Sequence, residues 1–174
     1  MNLIQKSLLF YFLTLFSYSN AQNLVPNPSF ENYEELPCSW IISDDTFDDA
    51  IEDWIMPTFG TTDIFSTLVD TDCYASCFST HFEKVGHQAP RTGEVMSAVL
   101  TYGSGCFNSQ PNYREYLEVE LIEPLQIGAT YYAEMYVSHA EFSKEKSNNI
   151  GMYFSETLIK DDDLCFVLNF TPQI

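Results

Sequence analysis

Tyr132, Glu134 and Tyr136 occupy alternate positions of one stretch, and Tyr153 follows in a second. Rings four residues apart with a carboxylate midway between them can stack on the apolar C–H face of a sugar while polar groups take its hydroxyl edge. The same tyrosines could instead cover the outside of a sheet or pack under a loop. Catalytic patterns are harder to find. His81, His87 and His139 form no HExxH motif, and their spacing to the cysteines fits no common zinc pattern. Ser104, in Gly103-Ser104-Gly105, lacks the frame of a nucleophile elbow. A carboxylate pair for glycoside hydrolysis could be drawn from so many acids that any choice would be arbitrary. Glu118 and Glu120 are accounted for by ordinary in-out alternation. Asp44, Asp45, Asp48 and Asp49 do not follow EF-hand spacing and read as a solvated acidic interval. The chain is expected to be non-enzymatic, with a glycoside hydrolase ranked third among the possible functions.

These residues must be positioned by strands. In residues 116–122, Leu117, Val119 and Leu121 alternate with Glu118 and Glu120, the pattern of a half-buried strand. Glu123-Pro124 interrupts it and Ile127-Gly128 supplies a turn. Tyr131, Ala133, Met135 and Val137 then restart the alternation, opposed by Tyr132, Glu134, Tyr136 and Ser138. Residues 149–155 alternate again, with Ile150, Met152 and Phe154 on one face. This stretch predicts the centre of an antiparallel sheet, with Tyr153 joining Tyr132 and Tyr136 if its strand is adjacent.

Elsewhere the pattern is shorter. Residues 22–31 hold two prolines and predict an edge strand ending in Phe30 as a core anchor. Residues 38–42 and 95–102 predict strands, and 44–53 a short helix. Residues 58–91 are loop-like, as are 102–111, and an acidic turn at 161–163 precedes the apolar run 164–168. Many short strands separated by turn signals imply an all-β chain, an antiparallel β-sandwich or jelly roll.

The 174 residues, 45% hydrophobic and 18% charged, suit one globular domain. Residues 1–21 have the form of a signal peptide: Lys6, an apolar run over 8–16, and the small residues Ser19-Asn20-Ala21. Export is therefore expected, leaving 22–174 as the mature domain, with no direct membrane insertion after cleavage. The formal charge of −18 repels phosphate backbones and anionic lipid, which disfavours nucleic acid as a partner. Five cysteines in an exported chain point to disulfides with one thiol left over. Cys73 and Cys77 form the local pair, and Cys38, Cys106 and Cys165 stay unassigned.

A family likeness emerges from several phrases. Residues 23–31, Asn-Leu-Val-Pro-Asn-Pro-Ser-Phe-Glu, resemble the opening of galactose-binding-like jelly-roll modules. Asp53-Trp54 with Pro57-Thr58 and Thr62-Asp63, Pro90-Arg91-Thr92-Gly93, residues 113–117, Pro124-Leu125 with Gly128, Tyr136-Val137-Ser138, and Asn149-Ile150-Gly151 with Phe154-Ser155 extend it. Together they are similar to a secreted domain of gliding bacteria, found at the front of OmpA-type outer-membrane proteins or in cell-surface proteins of the type IX pathway. The resemblance implies a cell-surface jelly roll over 22–174 that binds carbohydrate or mediates adhesion. Its alternative is a structural or assembly module that binds a cell-envelope protein. It also implies a structural calcium near Glu31, and closing strands beyond residues 170–174, so that this chain would lack its last strands.

Overall fold

The computed structural model describes residues 22–37, 44–68, 86, 88–104, 111–148, 150–161 and 167–174. The leader, the expected strand at 38–42, the Cys73–Cys77 pair, the other three cysteines, His81, His87, and most of the 161–168 turn and apolar run lie outside them.

The described elements are one helix and six short strands. Helix α1, Asp44–Ala50, forms where the sequence predicts it. Phe47, Ala50 and Ile51 are spaced i, i+3, i+4, so they share one face, and all three are buried. The Ile51 amide donates to the Phe47 carbonyl (3.1 Å), and Asp53, at φ 71°, follows in the left-handed region. Strand β1, Trp54–Ile55, pairs antiparallel with β6, Glu118–Val119, with Trp54 opposite Val119. Strand β2, Asp63–Ser66, pairs antiparallel with β3, Val95–Ala98, in the register Ile64 to Ser97 and Phe65 to Met96. Strand β4, Gly103–Ser104, pairs antiparallel with β5, Pro111–Tyr113. The described residues are thus all-β in character, built from small antiparallel pairs.

The core gathers Phe47, Ala50, Ile51, Met56, Ile64 and Val95, with Phe30, Tyr33, Leu36, Trp54 and Leu117 packed against it. Each fully buried large apolar side chain contributes about 1.5–3 kcal/mol. Most of that burial lies N-terminal to residue 100, where the sequence predicts loops as often as strands.

Four expectations are corrected here. Strand β2 lies inside the stretch read as loop, because four residues amid Gly, Thr and Asp are too short for a period to show. The β4–β5 pair likewise occupies the flanks of the loop read at 102–111. Residues 22–31 make turns instead of an edge strand, since Asn27 and Phe30 take positive φ (41° and 63°), although Phe30 does anchor against the core. The fourth correction is the largest. Residues 131–138 form no ladder, and three of the four side chains assigned inward are exposed, Tyr131 and Met135 by 43% and Val137 by 63%. Alternation determines which side chains share a face, but burial requires a second layer, and none of the described residues supplies one here.

Candidate functional site

Tyr132 and Tyr136 face solvent, 84% and 62% exposed. The Tyr132 hydroxyl donates to Glu134 Oε2 at 3.0 Å, which fixes the carboxylate beside its ring. That hydrogen bond, and then the Glu134 charge, push the Tyr132 pKa above its ordinary value. Tyr136 sits beneath the Arg91 guanidinium, 4.4 Å from the ring centroid. Tyr153 stacks on Phe170, with centroids 4.6 Å apart and 19° between planes. The structure therefore joins Tyr132 to Glu134, Tyr136 to the 90–93 turn, and Tyr153 to the C-terminal stretch. Among the described residues no ring contact links Tyr153 to Tyr132 or Tyr136. Tyr153 is held in place because 152–154 lie beside 172–174: the Met152 amide donates to the Ile174 carbonyl (2.9 Å), and the Gln173 side chain bonds both the amide and the carbonyl of Phe154.

Glu31, near which the resemblance implies a calcium, bonds backbone amides. Its Oε1 accepts the amides of Glu94 (2.8 Å) and Val95 (3.0 Å), tying the N-terminal turns to the start of β3. Calcium takes six to eight oxygens, whereas what meets this oxygen is a pair of N–H donors, which repel a cation. Among the described residues no group of three or more His, Cys, Asp or Glu side chains is gathered to hold a metal ion. The arrangement is a backbone anchor.

Beside it, Asn27 is buried at the junction of the turns. Its amide nitrogen donates to the carbonyls of Asn32 and Glu52 (2.8 Å each), its side-chain oxygen accepts the Asn32 amide (3.0 Å), and its carbonyl accepts the Trp54 indole N–H (2.8 Å). Phe30 packs on Trp54 with ring centroids 4.9 Å apart. Three phrases remote in sequence, 27–31, 53–54 and 91–93, thus meet in space. Their shared work is holding turns together.

A second cluster carries no motif in the sequence. Glu115 is only 7% exposed, yet it is fully engaged: Oε2 accepts the Leu100 amide (2.6 Å), and Oε1 accepts the hydroxyls of Tyr113 (2.9 Å) and Thr61 (3.0 Å). The Thr61 amide donates to the Tyr113 hydroxyl oxygen (2.9 Å), and the Thr62 hydroxyl donates to the Tyr116 carbonyl (3.2 Å). Burial, with the adjacent Glu115 charge, pushes the Tyr113 phenol up to about 12. Such a phenol stays protonated near neutral pH. The legible signal was Glu115 sharing a face with Tyr113 and Leu117, a carboxylate at an inward position.

The remaining acids divide by burial. Glu118, expected to point outward, is half-buried and accepts the Ile159 amide (3.0 Å); burial raises its pKa and that hydrogen bond opposes the rise. Glu120 is exposed. Asp48 accepts the Met56 amide (3.0 Å) and pairs with Lys160 (3.1 Å), so it caps the turn after α1 instead of lying free in solvent. His139 Nε2 bonds the Glu145 carbonyl oxygen in an exposed turn.

Compared with protein-family models, characterised proteins and solved structures, the chain matches none. The family likeness therefore rests on its own residues. Among the described residues no helix is long and apolar enough to cross a membrane.

Proposed function

We propose that this chain is an exported, non-catalytic cell-surface module of jelly-roll type, and that the strip Tyr132–Glu134–Tyr136, together with Tyr153 from a separate segment, binds carbohydrate. The observation that carries this reading is the exposure of the two strip tyrosines on either side of a carboxylate oriented by the Tyr132 hydroxyl. Stacking rings plus a fixed polar group is what a sugar face and its hydroxyl edge require. The buried carboxylate of Glu115 is engaged at both oxygens by hydrogen bonds, which favours a structural over a catalytic role for it.

The test is co-sedimentation with purified polysaccharides and a glycan array. Tyr132→Ala with Tyr136→Ala should abolish binding while leaving the melting temperature close to that of the parent, because exposed rings contribute little burial. Binding that survives both substitutions unchanged would remove the strip from the account.

A second reading is supported by a separate observation. The backbone of residues 130–138 makes no hydrogen bond to any other described residue. An open row of donors and acceptors suits a module that assembles with a cell-envelope protein. Recovery of such a protein without any dependence on glycan would favour it.

A further inference from the structure

The segment Thr130–Ser138 contains Tyr, Val, Thr and Met, residues that fit strands, and it runs without helix, turn or bend. None of its residues takes a positive φ. Its nine residues would span about 30 Å as a strand, yet its amides and carbonyls bond no other described residue. Apolar side chains are exposed along the same length, including Met135 and Val137. Exposed donors, acceptors and apolar side chains in one row are the features on which a further strand pairs.

We propose that residues 130–138 are a receptor edge that takes an added β-strand from another protein, and that the incoming strand is basic at its centre. The inference rests on the assembly reading and names the chemistry of its partner. Two observations select a basic occupant. Glu134 is the middle residue of the segment and its only charge. Tyr136, on the same side by alternation, already carries a guanidinium 4.4 Å over its ring, so this surface accommodates a cation. A Lys or Arg opposite Glu134 would meet both the carboxylate and the flanking rings.

A second copy of the chain fits poorly. Antiparallel two-fold pairing centred on this segment sets Glu134 directly across from Glu134, and like charges directly opposite are destabilising. A charge of −18 on each copy adds long-range repulsion.

The experiment uses the full chain and synthetic nine-residue peptides of alternating Thr and Val whose central residue is Lys or Glu. Fluorescence anisotropy measures affinity, and hydrogen exchange reads the amides of residues 130–138. The Lys peptide should bind, slow alternate amides in the segment, and weaken with added salt. The Glu peptide should bind about fivefold less tightly, and Glu134→Lys should invert that preference. The substitution is at an exposed position, so the variant should fold. A Lys peptide that leaves those amides unchanged, or a preference indifferent to residue 134, overturns the proposal. Slowed amides accompanied by a dimer of the chain alone also overturn it. An envelope protein that binds while the 130–138 amides exchange unchanged would overturn the edge and leave the assembly reading standing.

Discussion

Glu115 Oε2 lies 2.6 Å from the Leu100 amide nitrogen, fifteen residues earlier in the chain, and the Glu115 amide donates in return to the Leu100 carbonyl at 2.9 Å. One residue thus closes both backbone groups of another and still offers an oxygen to Tyr113 and Thr61. Glu115→Gln should be destabilising by about 1–3 kcal/mol, because the new amide group aims a donor where the site already supplies donors. Urea denaturation followed by tryptophan fluorescence measures the loss, and a midpoint unchanged from the parent would contradict the network.

The Tyr113 phenol gives the same cluster a signature at alkaline pH. Its folded pKa of about 12 stands above the ordinary 10.0, so the unfolded chain releases the proton first. The stability contributed by the neutral phenol is fully present below pH 10 and is lost as pH rises toward 12. The Tyr113→Phe variant should lack this component of the alkaline decline. Denaturant midpoints across that window, alongside an ultraviolet titration of tyrosinate, check the sign.

Asn27 tests whether the turn junction depends on donors or merely on shape. Asn27→Asp preserves size and tolerates φ 41°, but it replaces two amide donors with oxygen facing the carbonyls of Asn32 and Glu52. A loss of about 1–3 kcal/mol is expected at neutral pH. The new carboxyl should titrate above its ordinary value, so part of the loss should return on acidification. Thermal melts of both proteins over the acidic range would show the two curves converging.

Gly93 and Gly128 separate backbone strain from steric displacement. Both take positive φ, 67° and 83°, so an alanine at either incurs a left-handed cost of about 1–2 kcal/mol. A Cβ on Gly128 meets open space, whereas one on Gly93 would fall on the Glu31 carboxylate. Gly93→Ala should therefore cost clearly more than Gly128→Ala, and hydrogen exchange at Glu94 and Val95 should speed up in that variant alone.

Glu118 follows the same pH sign as Tyr113, in the acidic range. Burial raises its pKa, so the ionised form is disfavoured in the folded state, and the stability linked to its proton is lost as pH rises through the folded value. Glu118→Gln keeps an acceptor for the Ile159 amide and removes the desolvated charge. The variant should equal or exceed the parent in stability at neutral pH, and its advantage should shrink as the pH falls toward 4.5 and below. Chemical denaturation at several pH values decides the matter.

The places where sequence reading failed share one cause. Helix α1 was legible because Phe47, Ala50 and Ile51 carry the helical period within a few residues. Strand β2 was not, since Ile64 and Phe65 are buried by packing on distant partners, chiefly β3, and their own neighbours carry no pattern. Residues 131–138 have the best alternation in the chain yet remain exposed, because alternation does not supply the layer that covers them. At the candidate strip, the sequence identified Tyr132, Glu134 and Tyr136 as neighbours on one side of the chain, and the hydrogen bond between the first two agrees. That Tyr153 belongs with Phe170, and Tyr136 with Arg91, could not be read from any local spacing.

By itself the sequence determined the acidic balance, the positions of turn-forming residues and which side chains share a face, because these depend on residue type and on neighbours a few positions away. The tertiary structure alone decided which carboxylates are buried or half-buried and bonded to backbone amides, Glu115 buried and Glu31 and Glu118 half-buried, and which stay in water, Glu120 and Glu134. Burial is settled by partners brought from far along the chain. Glu31 finds its amides more than sixty residues away, and no local period encodes that meeting.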